Sequence, residues 1–122
     1  MSMVKAIGVD MVKILRITRI LQSTHRDRFL SKVLHKKELE VLARSNPERV
    51  LQFVAGSWAA KEAVFKTLDR KDQLRFQFRD WYRYNIEGKP NISRVDSFSS
   101  DQFLLSISHD GDHLITTVLR LE

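Results

Sequence analysis

Two carboxylates carry the first chemical signal. Asp10 lies in "IGVDMV" and Glu62 in "FVAGSWAAKEAVFK". Leu51, Ala55, Trp58 and Phe65 recur at three-and-four spacing, as the apolar stripe of a helix does, and Glu62 falls inside that stripe. An isolated glutamate there ordinarily pairs with the lysine one turn on, here Lys66, an arrangement worth about 0.2–0.5 kcal/mol. Asp10 sharpens the reading, because it is a short-armed acid two residues from Gly8, where a backbone can come close. Two converging buried carboxylates repel unless one is protonated or a cation neutralises both. A convergent Asp10 and Glu62 therefore make a hard-oxygen metal site. Magnesium suits so sparse a pair, since it keeps several waters and completes its shell with substrate phosphates. Zinc would call for His or Cys clusters that the sequence lacks.

A cation one helical turn from a metal-binding glutamate is placed to hold a phosphate oxygen, which gives Lys66 a second task. "SISHDGD" adds Ser108 and His109 at the end of a strand, where a solvated histidine is the common finding and a phosphate contact the rarer one. His113 stands four residues on, but the turn between the two histidines prevents a shared helical face.

The elements that must position these groups can be read from periodicity. Ala6 to Val12 alternates, with Ile7, Val9 and Met11 on one face and Gly8, Asp10 and Val12 on the other, so Asp10 belongs near the end of a strand. From Ile14 to about Ala43 apolar residues return at helical intervals, broken around Ser23, Thr24 and His25, which predicts two or three short helices. Ser45 or Asn46 as cap, Pro47 at the first helical position and Glu48 in the first turn open a long helix over Pro47 to Leu68. Beyond it the period changes to two. Phe76, Phe78, Trp81, Tyr82, Tyr84 and Ile86 followed by "EGKPN" predict a hairpin. "FLLSIS" and "LITTVLRL", joined through Asp110-Gly111, predict a second. Strand, helices, then strands is the order of an α+β domain.

Composition bounds the rest. A chain of 122 residues, 43% hydrophobic and 30% charged, supports one core, and a single domain over residues 1–122 is expected. With no cysteine, disulfide and thiolate chemistry is excluded. The formal charge of +6 favours an anionic partner or substrate. No apolar run approaches a membrane span, and "MSMVKAIGVDMV" has neither a signal-peptide core nor an Arg/Ser-rich transit character, so an intracellular protein without membrane association is expected.

Taken together, "IGVDMVKILRI", "FVAGSWAAKEAVFKTL", "GKP" and "LSISHDGDHLITTVL" resemble the successive motifs of the holo-acyl-carrier-protein synthase family, the small phosphopantetheinyl transferases, over essentially the whole chain. The resemblance implies that family's α+β fold, an antiparallel sheet packed around a long central helix. It implies transfer of the 4′-phosphopantetheine arm of coenzyme A to a serine of an acidic apo acyl carrier protein, with magnesium and release of adenosine 3′,5′-bisphosphate, in support of fatty-acid synthesis. On it Asp10 and Glu62 are the metal ligands, Lys66 holds the diphosphate, His109 with Ser108 meets the coenzyme A phosphates, and Arg16, Arg26, Arg28 and Phe29 face the carrier protein. Asp10, Glu62 and Lys66 form the catalytic set. Glu62, directly or through a metal-bound water, is the base for the serine proton. The family's members imply a homotrimer with coenzyme A between neighbours.

Three departures stand out. "TLDRKDQLRF" replaces the family's glycine-rich loop, Ser57 stands where many relatives have an arginine, and Lys13 where an acid is frequent. Such divergence favours a mitochondrial member of fungal type, with a bacterial cytoplasmic enzyme as the alternative. Two rival readings are a catalytically inactive relative serving as a scaffold and a basic nucleic-acid-binding module built on "FQFRDWYRY".

Overall fold

A computed structural model describes residues 3–94 and 100–122. Strand β1 (Val4–Lys13) runs directly into three short helices, α1 (Ile14–Leu21), α2 (Arg26–Val33) and α3 (Lys36–Ala43). The break expected near Ser23 is a hydrogen-bonded turn, in which Ser23 Oγ donates to the Ile20 carbonyl and accepts from the His25 amide. The long helix α4 (Pro47–Thr67) starts as its capping residues dictate: Pro47 is in the first turn and Asn46 Oδ1 accepts from the Arg49 amide at 2.9 Å. A short helix α5 (Arg70–Gln73) and a single 3₁₀ turn (Phe78–Asp80) lead to β2 (Trp81–Ile86), β3 (Lys89–Arg94), β4 (Gln102–Asp110) and β5 (His113–Leu121).

The strands form one antiparallel sheet in the order β1-β5-β4-β3-β2. Both hairpins form at the expected turns, with Glu87, Gly88 and Gly111 in the left-handed region at φ of 51°, 78° and 60°. Phe76 and Phe78 depart from the strand expectation. Their rings pack on the aromatic side chains of α4 and β2, Phe78 stacked at 4.8 Å on Trp58 and Phe76 edge-on at 5.3 Å to Phe65, so the alternation satisfies packing instead of a ladder.

Helix α4 lies across β1 and β5, and its buried residues include Val54, Ala55, Ala59, Ala60, Ala63 and Val64. Its most deeply buried stripe is thus one of small residues; Leu51, Trp58, Glu62 and Phe65 are only half-buried beside it. Small side chains let helix and sheet approach closely. At Gly8 the approach is closest, because a Cβ there would run into the Ala63 carbonyl. Thr116 Oγ1 on β5 donates to the Ala59 carbonyl at 2.8 Å, pinning the helix to the sheet at mid-length.

Candidate active site

The inward face of β1 delivers Asp10 to α4. Gly8 and Val12 on either side are buried beneath the helix, which sets the strand's register and leaves the Asp10 side chain 17% exposed at its margin. Lys66 comes from the last turn of α4, and its Nζ donates to the Val9 carbonyl at 2.7 Å and to Asp10 Oδ1 at 3.3 Å. Glu62, one turn earlier, is half-buried. Burial, and then the negative charge of Asp10, push its carboxyl above the ordinary glutamate value, against the opposing pull of Lys66 and Arg16. Asp10, Glu62 and Lys66 therefore share one neighbourhood, as their spacing suggests.

Arg16 and Phe29 gather beside them. The Arg16 guanidinium lies 5.8 Å from the ring centre of Trp58, and the Phe29 ring lies 5.6 Å from the same indole. Arg28 is exposed on α2. Arg26 is partly spent on structure, its Nη1 reaching the Leu21 carbonyl at 3.3 Å across the turn between α1 and α2. Trp58 is the member of this group that periodicity assigns to the core; its position one turn before Glu62 was the available sign that it stands beside the acid.

The other flank of α4 is different. Phe53 and Gly56 stand about 180° and 120° around the helix from Glu62 at 100° per residue. There a cavity of about 340 Å³ is lined by Arg49, Phe53, Gly56, Arg83 and His109 among others, but by none of Asp10, Glu62 or Lys66. His109 reaches it because it alternates with Phe103, Leu105 and Ile107 on the inward face of β4. Ser108 lies on the outward face with Leu104, and so does not share the cavity.

Behind this cavity is a polar network that sequence reasoning missed. Glu38 Oε1 accepts from Lys61 Nζ at 2.5 Å and from the His35 amide at 2.9 Å, while Oε2 accepts from Ser57 Oγ at 3.2 Å and from the Arg83 amide at 3.1 Å. Lys61 Nζ also donates to the Val33 carbonyl at 2.7 Å. Burial pulls Lys61 below the ordinary lysine value, against the charge of Glu38. Arg83 Nε donates to Ser57 Oγ and Nη2 to the Phe53 carbonyl, each at 3.0 Å. The signal for Glu38 was "HKKE", a capping box in which His35 Nδ1 accepts from the Lys37 amide at 2.9 Å.

Comparison with known proteins identifies the family and the fold. Residues 6–118 match the model of the 4′-phosphopantetheinyl transferase superfamily. The holo-[acyl-carrier-protein] synthase of Wolbachia pipientis subsp. Culex pipiens is 36% identical over 121 residues, covering 96% of this chain and 97% of the relative. That of a Geobacillus strain is 30% identical over 118 residues, covering 96% of each. Among solved structures, a Bacillus anthracis holo-(acyl-carrier-protein) synthase in complex with CoA (3′,5′-ADP) is similar with a TM-score of 0.80 and 28% identity, covering 98% of both chains. A Plasmodium yoelii holo-ACP synthase shares the fold with a TM-score of 0.81 at 24% identity, covering 99% of this chain and 97% of that one. Matching motifs, fold and relatives over nearly its full length, the chain belongs to the holo-[acyl-carrier-protein] synthase family of the 4′-phosphopantetheinyl transferase superfamily.

Proposed function

We propose that the chain transfers the 4′-phosphopantetheine group of coenzyme A to a serine of an apo acyl carrier protein, releasing adenosine 3′,5′-bisphosphate, with residues 1–122 acting as one domain. The observation that carries this reading is the convergence of Asp10, Glu62 and Lys66 where β1 meets the last two turns of α4.

Magnesium fits the donor set. The site offers carboxylate oxygens and no sulfur or imidazole, and burial, followed by the negative charge of Asp10, raises the Glu62 carboxyl in a way that a bound cation would relieve. Magnesium needs few protein ligands when substrate phosphates finish its shell. Asp10 and Glu62 would hold it, and when bound it neutralises charge on the diphosphate.

The chain's own groups supply the remaining chemistry. Two of the three Lys66 ammonium protons are engaged by the Val9 carbonyl and Asp10, leaving the third for a diphosphate oxygen. The serine Oγ attacks phosphorus, the bond to the leaving adenosine bisphosphate breaks, and the serine proton passes to the Glu62 carboxylate. Arg16 and Phe29, packed against Trp58, and the exposed Arg28 offer a cationic and aromatic surface to an acidic carrier protein. Arg26 contributes its charge at the same edge.

A homotrimer is the assembly we favour. The outward sheet face carries Ile7 (61% exposed), Val9, Met11 (64% exposed), Leu104 and Ile115, an apolar surface that another copy would cover. Helix α4 also separates the acidic pair from the cationic cavity within one chain, and a neighbour's cavity would complete the site. The Wolbachia and Geobacillus relatives are bacterial, which favours the bacterial cytoplasm over a mitochondrial setting, and fatty-acid synthesis is the pathway of such a carrier protein.

The test is intact-mass analysis of an apo acyl carrier protein incubated with this protein, coenzyme A and magnesium, beside a chelator control. A phosphopantetheine-sized mass gain that the chelator abolishes is expected. No gain across several carrier proteins would sink the enzyme and favour a scaffold.

A further inference from the structure

The cavity between α4 and β4 has a chemistry of its own. Arg49, Arg83 and His109 line it, and no carboxylate does. It has an anion's complement of groups, in a volume suited to part of a small ligand.

Arg83 is the most constrained of the three. Ser57 and the Phe53 carbonyl hold Nε and Nη2, and the guanidinium lies 4.6 Å from the centre of the Phe53 ring. Its amide is fixed in turn by Glu38. Nη1 has no hydrogen-bond partner among the described residues, yet no fully buried side-chain nitrogen or oxygen there lacks one, so Nη1 opens towards the cavity. Gly56 makes room for it: a Cβ at that position would lie 3.1 Å from Nη1. A guanidinium held on three sides with one edge presented is pre-organised for a phosphate oxygen, because the entropy of fixing the side chain is already lost in the fold.

Which phosphate it meets follows from position. Resting on the proposed transfer from coenzyme A, the diphosphate belongs with Lys66 on the opposite flank of α4. The remaining phosphate of coenzyme A is the monoester on the ribose 3′ oxygen. We propose that Arg83 is a specificity-determining residue that binds this 3′-phosphate in the cavity it shares with Arg49 and His109.

The experiment compares adenosine 3′,5′-bisphosphate with adenosine 5′-monophosphate by titration calorimetry, using the full chain, with melting temperature recorded for each variant. The unmutated protein should prefer the bisphosphate, and Arg83→Met should reduce that preference roughly 10- to 100-fold, the effect of losing a hydrogen bond to a charged group. Arg83→Lys, a milder change to the fold, should retain part of it. Equal affinity of the unmutated protein for the two nucleotides would overturn the proposal without any variant. So would a folded Arg83→Met or Arg83→Lys protein with its preference intact, since a structural arginine would lower the melting temperature and leave the ratio alone. Transfer assays separate this failure from that of the activity itself. Equal KM for coenzyme A and 3′-dephospho-coenzyme A would remove the role of Arg83 and keep the transferase, whereas no transfer from either would remove the transferase.

Discussion

Lys66 Nζ and the Asp10 carboxylate stand 3.3 Å apart, with the Val9 carbonyl 2.7 Å from the same nitrogen, so the end of α4 is tied to the end of β1 by the group we propose for the diphosphate. The lysine side chain is 49% exposed, and an exposed ion pair of this kind contributes little to folding. On the proposed function, its value lies in holding the ammonium in place before substrate arrives. Lys66→Met should therefore lower kcat/KM by about two orders of magnitude, the scale of losing one electrostatic stabiliser. Its melting temperature should stay close to that of the parent. Continuous transfer assays and a thermal melt check both halves, and a large melting loss would assign Lys66 to the fold.

Glu62 should show the reverse balance. Its folded pKa is raised by burial and by Asp10, so the ionised form costs stability at pH values above that pKa, and the cost vanishes as pH falls through it towards 4.5. Glu62→Gln removes the charge. In chelator at neutral pH the variant should melt higher than the parent, and the gain should shrink on acidification. Transfer should fall by about 10²-fold or more. A destabilised variant at neutral pH would contradict the electrostatic account.

Gly8 tests the contact beneath Asp10. The carbonyl of Ala63 is backbone and cannot turn aside, so Gly8→Ala must push β1 away from α4. Both stability and transfer should drop together, unlike either substitution above. Chemical denaturation gives the first, intact-mass kinetics the second.

The Glu38–Lys61 pair makes a fourth prediction. Each residue is almost fully buried, so removing one partner strands the other charge. Lys61→Met or Glu38→Gln alone should cost about 3–5 kcal/mol, and the double variant less than the sum of the two. A double-mutant cycle by denaturant unfolding measures the coupling; additive losses would mean the two charges are not paired in solution.

The legible part of this protein was the part written in local rules. Asn46 and Pro47 start α4, Glu87-Gly88 and Gly111 turn the hairpins, and alternation along β1 puts Asp10 beside Gly8 on the inward face. The departures came from contacts between residues far apart in the chain. Phe76 and Phe78 have strand periodicity but are claimed by Trp58 and Phe65, and "TLDRKDQLRF" forms the helical turn Arg70–Gln73. Lys61 looks like a surface lysine in "WAAKEA" until Glu38, 23 residues earlier, is brought to it. Ser57 reads as a missing arginine, whereas in the structure its hydroxyl accepts from the guanidinium of Arg83, 26 residues later. No window of sequence contains either pairing.

The division of functional groups by α4 has a consequence in genetics. One chain carries its acids, Asp10 and Glu62, on one side of the helix and its cationic cavity, with Arg83 and His109, on the other. In an assembly where each acid pair faces a neighbour's cavity, an allele that ruins the acids and an allele that ruins the cavity spoil different halves of the same junction. Where the two mutant chains meet in the right order, one intact junction is rebuilt. Two alleles that are each null would then complement when expressed together.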